Sequence, residues 1–403
     1  MALESTNGVP GALHLGNEHS PLSLKPLAVS SGLITVTAQG AKFALTIGGA
    51  MVLARLLTPI DFGLVGMVTT VTSFLSMLSD AGLSTATIQA ETITQEQSSN
   101  LFWLNLGVSG IMGLITALLA PALAWFFHET RLVAISLVLS LTFPLTGLML
   151  QHQALLNRQM KFRTLAIIDV GSMLVSIMTG CVMSLVHCGY WSLAGMQISS
   201  ALSACLFTWR GSQWRPQRPT RGSRVGAFVR FGLDLTVSSL VSRLARGCDT
   251  LFLGHFWGPG PVGLYSRASI LLLRPVEQFL SPISSVLLPV LSRLRSDPRR
   301  YRQAFLRTYD AIGLVSFPLT GIFLASAHPL VLVLLGPRWE SVAKLFAGFT
   351  ITALYLPLAS AATWLLASQG RSRDMLVMNL ILSTLTVAAF LVGVPYGALG
   401  MIL

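Results

Sequence analysis

Two small clusters of arginine and carboxylate side chains interrupt apolar stretches of this sequence. The clusters are Arg243, Arg246 and Asp249, and Arg267, Arg274 and Glu277. Spacings of three and seven residues keep side chains near one side of an α-helix, so each cluster is expected to aim in limited directions. Guanidinium groups bind phosphate and carboxylate oxygens in a bidentate way, and apolar surroundings strengthen the pairing. The pattern therefore predicts a binding surface for an anionic ligand such as a diphosphate.

Seven basic residues in all fall within apolar stretches. They are Lys42, Arg55, Arg230, Arg243, Arg246, Arg267 and Arg274. A charge at the centre of a membrane helix costs about 2.5 to 3.5 kcal/mol on insertion scales, so each needs a reason. One reading is a wet cavity that Lys42 and Arg55 face from the N-terminal side. The other is salt bridges between helices and side chains that reach the membrane surface, which suits Arg55 and Arg230 near the ends of their stretches. Asp249 and Glu277 either neutralise the arginines or bind a coupling ion.

Other kinds of chemistry leave no recognisable pattern in the sequence. No group of His, Cys, Asp and Glu has metal-ligand spacing, and no phosphate-binding loop of the GxxxxGK[ST] type occurs. The sequence thus predicts no catalytic residue, no metal and no cofactor. The net charge of +12 lies in short loops between apolar runs rather than on a soluble module with interleaved aromatics, which argues against nucleic acid as a partner.

The elements that must position these charges are predicted to be membrane-spanning helices. Of the 403 residues, 53% are hydrophobic and only 10% are charged, whereas soluble domains have about 25% charged residues. Eleven apolar stretches are long enough to cross a bilayer, which takes roughly 20 residues. They cover residues 32–57, 62–88, 101–127, 132–150, 164–186, 190–209, 225–253, 262–290, 308–335, 342–367 and 375–393, and a twelfth begins at Tyr396. The expected fold is an all-α polytopic membrane protein in which two six-helix lobes surround a central cavity, the last helix being incomplete at Leu403.

The distribution of Lys and Arg between alternate loops predicts the orientation of the chain in the membrane. With the N-terminus in the cytoplasm, the inner segments hold 17 of these residues, and the outer segments and helix ends hold three. Cytoplasmic loops carry the excess of positive charge, so the count favours this orientation. Residues 1–31 lack a basic start followed by an apolar run and are expected to form a disordered cytoplasmic tail.

An internal repeat at an offset of 200 residues indicates two related lobes. Residues 53–64 (LARLLTPIDFGL) align with residues 253–264 (LGHFWGPGPVGL) with four identities in twelve positions. Both stretches follow an odd-numbered helix, and six helices per copy give the copies the same orientation, related by an axis along the membrane normal. The predicted domains are an N-terminal lobe at 32–209, a basic cytoplasmic connector at 210–224 and a C-terminal lobe at 225–403, truncated in helix 12.

Short motifs along the chain resemble those of one family of membrane exporters. They are LARLLTPIDFGLVGM (53–67), DAGLSTATIQ (80–89), SNLFWLNL (99–106), ALLNRQMKFR (154–163), GYWSL (189–193), VGLYSRA (262–268), LLPVLSRL (287–294) and LGPRWE (335–340). In this order they resemble Wzx-type polysaccharide and lipopolysaccharide flippases, of the colanic-acid exporter-like branch of the multidrug/oligosaccharidyl-lipid/polysaccharide exporter superfamily. Each motif is a modest signal by itself, and together they are specific for the branch.

The resemblance implies a flippase of the bacterial inner membrane. Such a protein passes undecaprenyl-diphosphate-linked saccharide units from the cytoplasmic to the periplasmic leaflet by alternating access, for exopolysaccharide or lipopolysaccharide synthesis, and makes no covalent bond. The implied partners are the lipid bilayer, the lipid-linked oligosaccharide, a coupling proton or sodium ion, and the polysaccharide polymerase machinery. One departure is that relatives complete helix 12 and often add two more, whereas this chain ends at Leu403.

Two alternatives stay open at this point. A small-molecule or multidrug exporter of the same superfamily would be favoured by an apolar, acidic cavity. A membrane saccharide polymerase would need a sizeable outer loop with reactive residues, and the predicted outer loops are only a few residues long.

Overall fold

The protein is a bundle of long α-helices. The computed structural model describes residues 24–80, 82–90, 93–220 and 247–402, and within these ranges there are fifteen α-helices and no β-strand. In chain order the helices are α1 (Leu24–Leu56), α2 (Pro59–Asp80), α3 (Leu83–Gln89), α4 (Gln95–Phe126), α5 (Arg131–Ser140), α6 (Thr142–Arg158), α7 (Phe162–Leu185), α8 (Trp191–Gly211), α9 (residues 247–257), α10 (Pro259–Arg293), α11 (Pro298–Ala325), α12 (Ala327–Leu335), α13 (Glu340–Ser368), α14 (Ser372–Gly393) and α15 (Gly397–Gly400). The expectation of an all-α polytopic fold is confirmed.

Within the described residues the predicted spans coincide with helical residues, but three of the spans are interrupted. Most of the predicted span 225–253 lies outside the described residues. The stretch 62–88 is divided between α2 and α3, and the stretch 132–150 is divided at Leu141 between α5 and α6. The stretch 308–335 is divided at Ser326 between α11 and α12. Apolar composition alone does not reveal such breaks, because both helices at a break are equally apolar.

The start of α11 also corrects the sequence-based prediction. The helix begins at Pro298 rather than near residue 308, and Asp297 caps it by accepting hydrogen bonds from the main-chain N–H groups of Arg299 and Arg300, both at 3.1 Å. Most arginines assigned to a loop between the eighth and ninth spans therefore lie on helical turns. Helix α11 thus extends beyond its apolar region, because charged side chains are compatible with helical turns that lie outside the membrane.

Length and hydropathy identify most of these helices as membrane-spanning. Seven helical stretches of the described residues are long and apolar enough to cross a bilayer. Helices α8 and α10 are also long enough, but each contributes polar residues to an internal cavity and is less apolar for that reason. Large apolar side chains such as Met178 and Val392 are more than 60% exposed, as expected where the surrounding solvent is lipid.

Two groups of helices make up the bundle. Helices α1–α8 pack mainly against one another and form the N-terminal half. Helices α10–α15 also pack mainly against one another, and together with α9, which precedes them in the chain, we call them the C-terminal half. The main contact between the halves joins α2 to α10, and a smaller one joins α1 to α12. The largest hydrophobic core crosses this boundary, since Leu64, Val262 and Trp339 belong to it and are nearly inaccessible to solvent.

The residues after α8 form an extended strap along the start of α4. The indole nitrogen of Trp103 donates to the Gln217 carbonyl at 2.8 Å, and the Gln217 main-chain N–H donates to Ser99 Oγ at 3.0 Å. Asn100 exchanges two hydrogen bonds with the main chain of Thr220, at 2.8 and 3.0 Å. The part of the predicted connector that is described, up to residue 220, is thus fixed to the N-terminal half. We call this side of the molecule the connector end.

Candidate functional site

A cavity of about 850 Å³ lies between the two halves. One wall is formed by α2, α7 and α8 of the N-terminal half, with Met149 and Thr142 of α6. The opposite wall is formed by α9 and α10. Its position at the boundary between related halves is where transporters of this architecture place their substrate sites.

The wall from the C-terminal half carries the charges. Arg267 and Arg274 of α10 and Asp249 of α9 all line the cavity, so three of the residues proposed from the sequence are brought together. Arg274 is 69% exposed and lies 3.8 Å from Glu277, one turn further on, in an exposed ion pair. Such a pair holds its arginine weakly, since water screens it. Arg274 is therefore available to a ligand.

Arg267 is positioned differently, by an aromatic ring from the opposite half. Its guanidinium carbon lies 4.1 Å from the centroid of the Phe62 ring of α2, a cation–π contact across the boundary. Its Nε atom is buried and makes no hydrogen bond with any of the residues that the structure describes. A guanidinium group with an unused donor in a cavity wall is suited to an anionic oxygen.

Asp249 is held by hydrogen bonds from its neighbour Thr250. Its carboxylate accepts hydrogen bonds from the main chain and the hydroxyl of Thr250, the latter at 3.1 Å, and lies near the buried side chain of Tyr265. These bonds fix its orientation at the cavity wall. Glu277 is exposed next to Arg274 and is not part of the wall.

The remaining residues proposed from the sequence lie elsewhere. Lys42 forms an ion pair of 2.8 Å with Asp169, which joins α1 to α7 within the N-terminal half. The guanidinium group of Arg55 donates to the Val333 carbonyl of α12 at 2.8 Å. Neither side chain belongs to the described cavity wall. Arg243, Arg246 and Arg230 lie outside the described residues.

The wall from the N-terminal half is polar but carries no charge among its described residues. It contains Thr69, Thr70 and Ser73 of α2, and Gln197 and Ser200 of α8. Sequence reasoning missed this wall because it searched for charges. The signal was present in α2, where hydroxyl residues recur at 69, 72, 73, 76 and 79, a spacing that lies along one side of a helix.

The halves close the cavity at the end where α1 turns into α2. We call this the closed end. Main chain packs on main chain here, because a β-carbon on Gly63 would overlap the Pro259 carbonyl and one on Gly263 would overlap the Pro59 carbonyl. The indole nitrogen of the fully buried Trp339 donates to the Ala54 carbonyl at 2.7 Å. These contacts seal one end of the cavity.

A second set of contacts at the closed end joins α4 to α9. His255 Nδ1 donates to the Phe126 carbonyl at 2.6 Å, and the two rings stack with centroids 4.5 Å apart. The backbone of Gly254 packs against the Phe127 ring.

Among the described residues, no three His, Cys, Asp or Glu side chains converge on a point where a metal ion would bind.

Two helical halves around a polar cavity that is closed at one end define a membrane transporter fold. Solved structures share it. The lipid II flippase MurJ in an inward closed conformation has a TM-score of 0.76 at 13% identity and covers 93% of this chain and 83% of that chain. An inward-facing MATE family multidrug resistance transporter of the MOP superfamily has a TM-score of 0.69 at 14% identity, over 89% of this chain and 88% of that one.

The sequence assigns the family within this class. The chain belongs to the polysaccharide biosynthesis protein family, whose profile matches residues 52–344. The lipopolysaccharide biosynthesis protein WzxC of Escherichia coli (strain K12) is 25% identical over 360 residues, which cover 87% of this chain and 72% of WzxC. The succinoglycan biosynthesis transport protein ExoT of Rhizobium meliloti (strain 1021) is 27% identical over 305 residues, 76% of this chain and 62% of ExoT. The resemblance to Wzx-type flippases is confirmed.

Proposed function

We propose that this protein is a flippase for undecaprenyl-diphosphate-linked saccharide units and moves them from the cytoplasmic to the periplasmic leaflet by alternating access. The observation that carries the proposal is the pair Arg267 and Arg274 on one wall of a cavity between two halves. Guanidinium groups match the oxygens of a diphosphate. Family membership and the similarity to WzxC, ExoT and the lipid II flippase MurJ support the same substrate class.

The orientation follows from the basic residues. The connector end, with Arg210, Arg215 and Arg218 exposed, is assigned to the cytoplasm, and the closed end to the periplasm of a bacterial inner membrane. The N-terminus is then cytoplasmic, and so is the connector at 210–224 that links the two halves along the chain. In this orientation the described conformation is closed to the periplasm, the state that receives cargo from the cytoplasmic side.

Transport requires that the closed end opens and the cytoplasmic side closes. The Gly63, Gly263 and Trp339 contacts must then separate, and so must the Arg267–Phe62 contact, since each joins the two halves. The energy source is assigned to a proton or sodium gradient, with Asp249 as the group that binds the coupling ion and Glu277 beside Arg274 as a second candidate. Polysaccharide polymerase machinery on the periplasmic side would receive the product.

The cavity does not favour the alternative functions. A multidrug exporter was expected to have an apolar, acidic cavity, whereas this wall has two arginines and one aspartate. A polymerase was expected to have a sizeable outer loop, whereas the turn between α1 and α2 has two residues, Leu57 and Thr58, and the turn between α7 and α8 has five.

The test is export of cell-surface polysaccharide by cells that depend on this protein. Arg267→Ala and Arg274→Ala are expected to reduce export at least tenfold and to cause accumulation of the lipid-linked precursor, at normal protein levels. Arg131→Ala is the matched control, because Arg131 pairs locally with Glu129 at 2.8 Å, near the closed end and away from the cavity. Normal export by both cavity variants would overturn the proposal.

A further inference from the structure

A side pocket of about 210 Å³ lies beside the main cavity, within the N-terminal half. It shares Thr69, Ser73, Thr142 and Gln197 with the wall of the main cavity, so the two spaces lie next to each other. The rest of its lining is Thr72, Ser76, Ser79, Phe143 and Thr146. Three helices, α2, α6 and α8, contribute to it. We call it the hydroxyl pocket.

Six of the seven hydroxyl groups that line this pocket donate their hydrogens to main-chain carbonyls. Ser73 donates to the Thr70 carbonyl at 2.7 Å, Ser76 to Ser73 at 2.9 Å and Thr146 to Thr142 at 2.8 Å. A hydroxyl has one donor and two acceptor lone pairs. Each of these oxygens therefore keeps acceptor capacity for a partner in the pocket.

The side-chain amide of Gln197 also uses a donor within the protein. Its nitrogen donates to the Thr69 hydroxyl at 3.0 Å. The amide oxygen remains an acceptor. Among the described residues, the lining carries no charged side chain, and Phe143 adds an apolar surface. The pocket thus presents several neutral acceptors beside an aromatic ring.

A neutral ligand with many O–H or N–H donors fits this lining best, and sugars have this chemistry. We propose that the hydroxyl pocket binds the saccharide residue nearest to the diphosphate of the lipid-linked substrate, while Arg267 and Arg274 on the facing wall bind the diphosphate. The inference rests on the proposed flippase function and assigns the two parts of its substrate to opposite halves. The pocket would contribute to the choice of glycan.

The experiment measures binding of two lipids to the full chain in nanodiscs. The probes are undecaprenyl diphosphate and the same lipid with one glucose on the diphosphate. The test variant combines Ser76→Ala and Thr146→Val, which remove two hydroxyls with little change of volume. The matched control is Thr384→Val, a residue that bonds in the same way to its own helix at 2.9 Å but is exposed on α14.

The wild type and the control are expected to bind the glucosylated lipid more tightly than the bare lipid. The test variant should lose about thirtyfold in affinity for the glucosylated lipid, since two lost hydrogen bonds at about 1 kcal/mol each amount to about 2 kcal/mol, and should keep its affinity for the bare lipid. Equal binding of both lipids by the wild type, or an unchanged preference in the test variant, would overturn the inference while leaving the flippase function intact.

Two further outcomes separate the remaining possibilities. If neither lipid binds to the wild type, or if Arg274→Ala binds both normally, the flippase proposal itself is overturned and this inference goes with it. A thermal shift by sodium chloride but not by choline chloride, lost in the test variant, would make the pocket a cation site instead and overturn the sugar assignment.

Discussion

Gly63 of α2 lies directly against the main chain of Pro259, at the start of α10, with no room for a side chain between them. The relationship is reciprocal, because Gly263 packs in the same way against Pro59. Pro59 and Pro259, like Gly63 and Gly263, are identical pairs in the alignment of the 200-residue repeat. The repeat recognised in the sequence is therefore also the place where the two halves touch.

A methyl group at either glycine should force the closed end apart. In Gly63→Ala, spin labels at the exposed residues Ile60 and Phe256 are expected to move further apart, because the new β-carbon would overlap a rigid carbonyl. Gly260→Ala is the control in the same turn, since its β-carbon would have only an ordinary contact of 4.0 Å with Ile60. Pulsed EPR distances in a chain without its native cysteines make the measurement, and identical distances in both variants would contradict the seal.

Trp339→Phe should weaken the contacts at the closed end without leaving a large cavity there. The substitution removes the hydrogen bond to the Ala54 carbonyl but keeps an aromatic ring beside Phe62, whose centroid lies 5.4 Å away. A loss of about 1 kcal/mol corresponds to roughly a fivefold shift towards conformations open at this end. Trp257→Phe is the control, as its indole bonds to Val394 within the C-terminal half. The same EPR distances serve as readout, and an equal shift in both variants would contradict a gating role for Trp339.

Lys42→Met should affect stability and not substrate binding. The ion pair of Lys42 with Asp169 is partly exposed, so its loss is expected to cost at most about 1 kcal/mol of stability. A double-mutant cycle with Asp169→Asn measures the coupling by thermal unfolding. Binding of undecaprenyl diphosphate should be unchanged; a large loss of binding at normal stability would instead place Lys42 in the substrate site.

The strap after α8 should be released by changes on α4. Combining Asn100→Ala with Trp103→Phe removes three hydrogen bonds that hold Gln217 and Thr220. Arg215 and Arg218 each precede a proline, which blocks trypsin, so the site to follow is Arg221, next to Thr220. Tryptic cleavage after Arg221, followed by mass spectrometry, is expected to become several times faster. Trp125→Phe, at the other end of α4, is the control and should leave the rate unchanged. Equal cleavage in all three proteins would show that the strap is not held by these contacts.

Part of this arrangement could be predicted from the sequence. Arg267 and Arg274 stood out because a charge in an apolar helix is costly, and the structure places both on a cavity wall. The rotation of α1 about its axis could not be predicted, because the partner of Lys42 is 127 residues away in the chain. The spacing of hydroxyl residues along α2 was visible in the sequence, but it did not by itself predict a pocket, since a serine or threonine that bonds to its own helix is inexpensive anywhere in a membrane.

Because the charged groups and the hydroxyl groups lie on opposite walls, loaded and empty carrier lipids would contact the protein differently. A carrier lipid that has already delivered its glycan could bind only Arg267 and Arg274 of the C-terminal half. A loaded carrier would also bind the hydroxyl pocket of the N-terminal half and would therefore connect the two halves. Only the second would sense and stabilise the relative position of the halves. The transporter would then respond differently to the two carriers, because an empty carrier could bind the arginines without connecting the two halves.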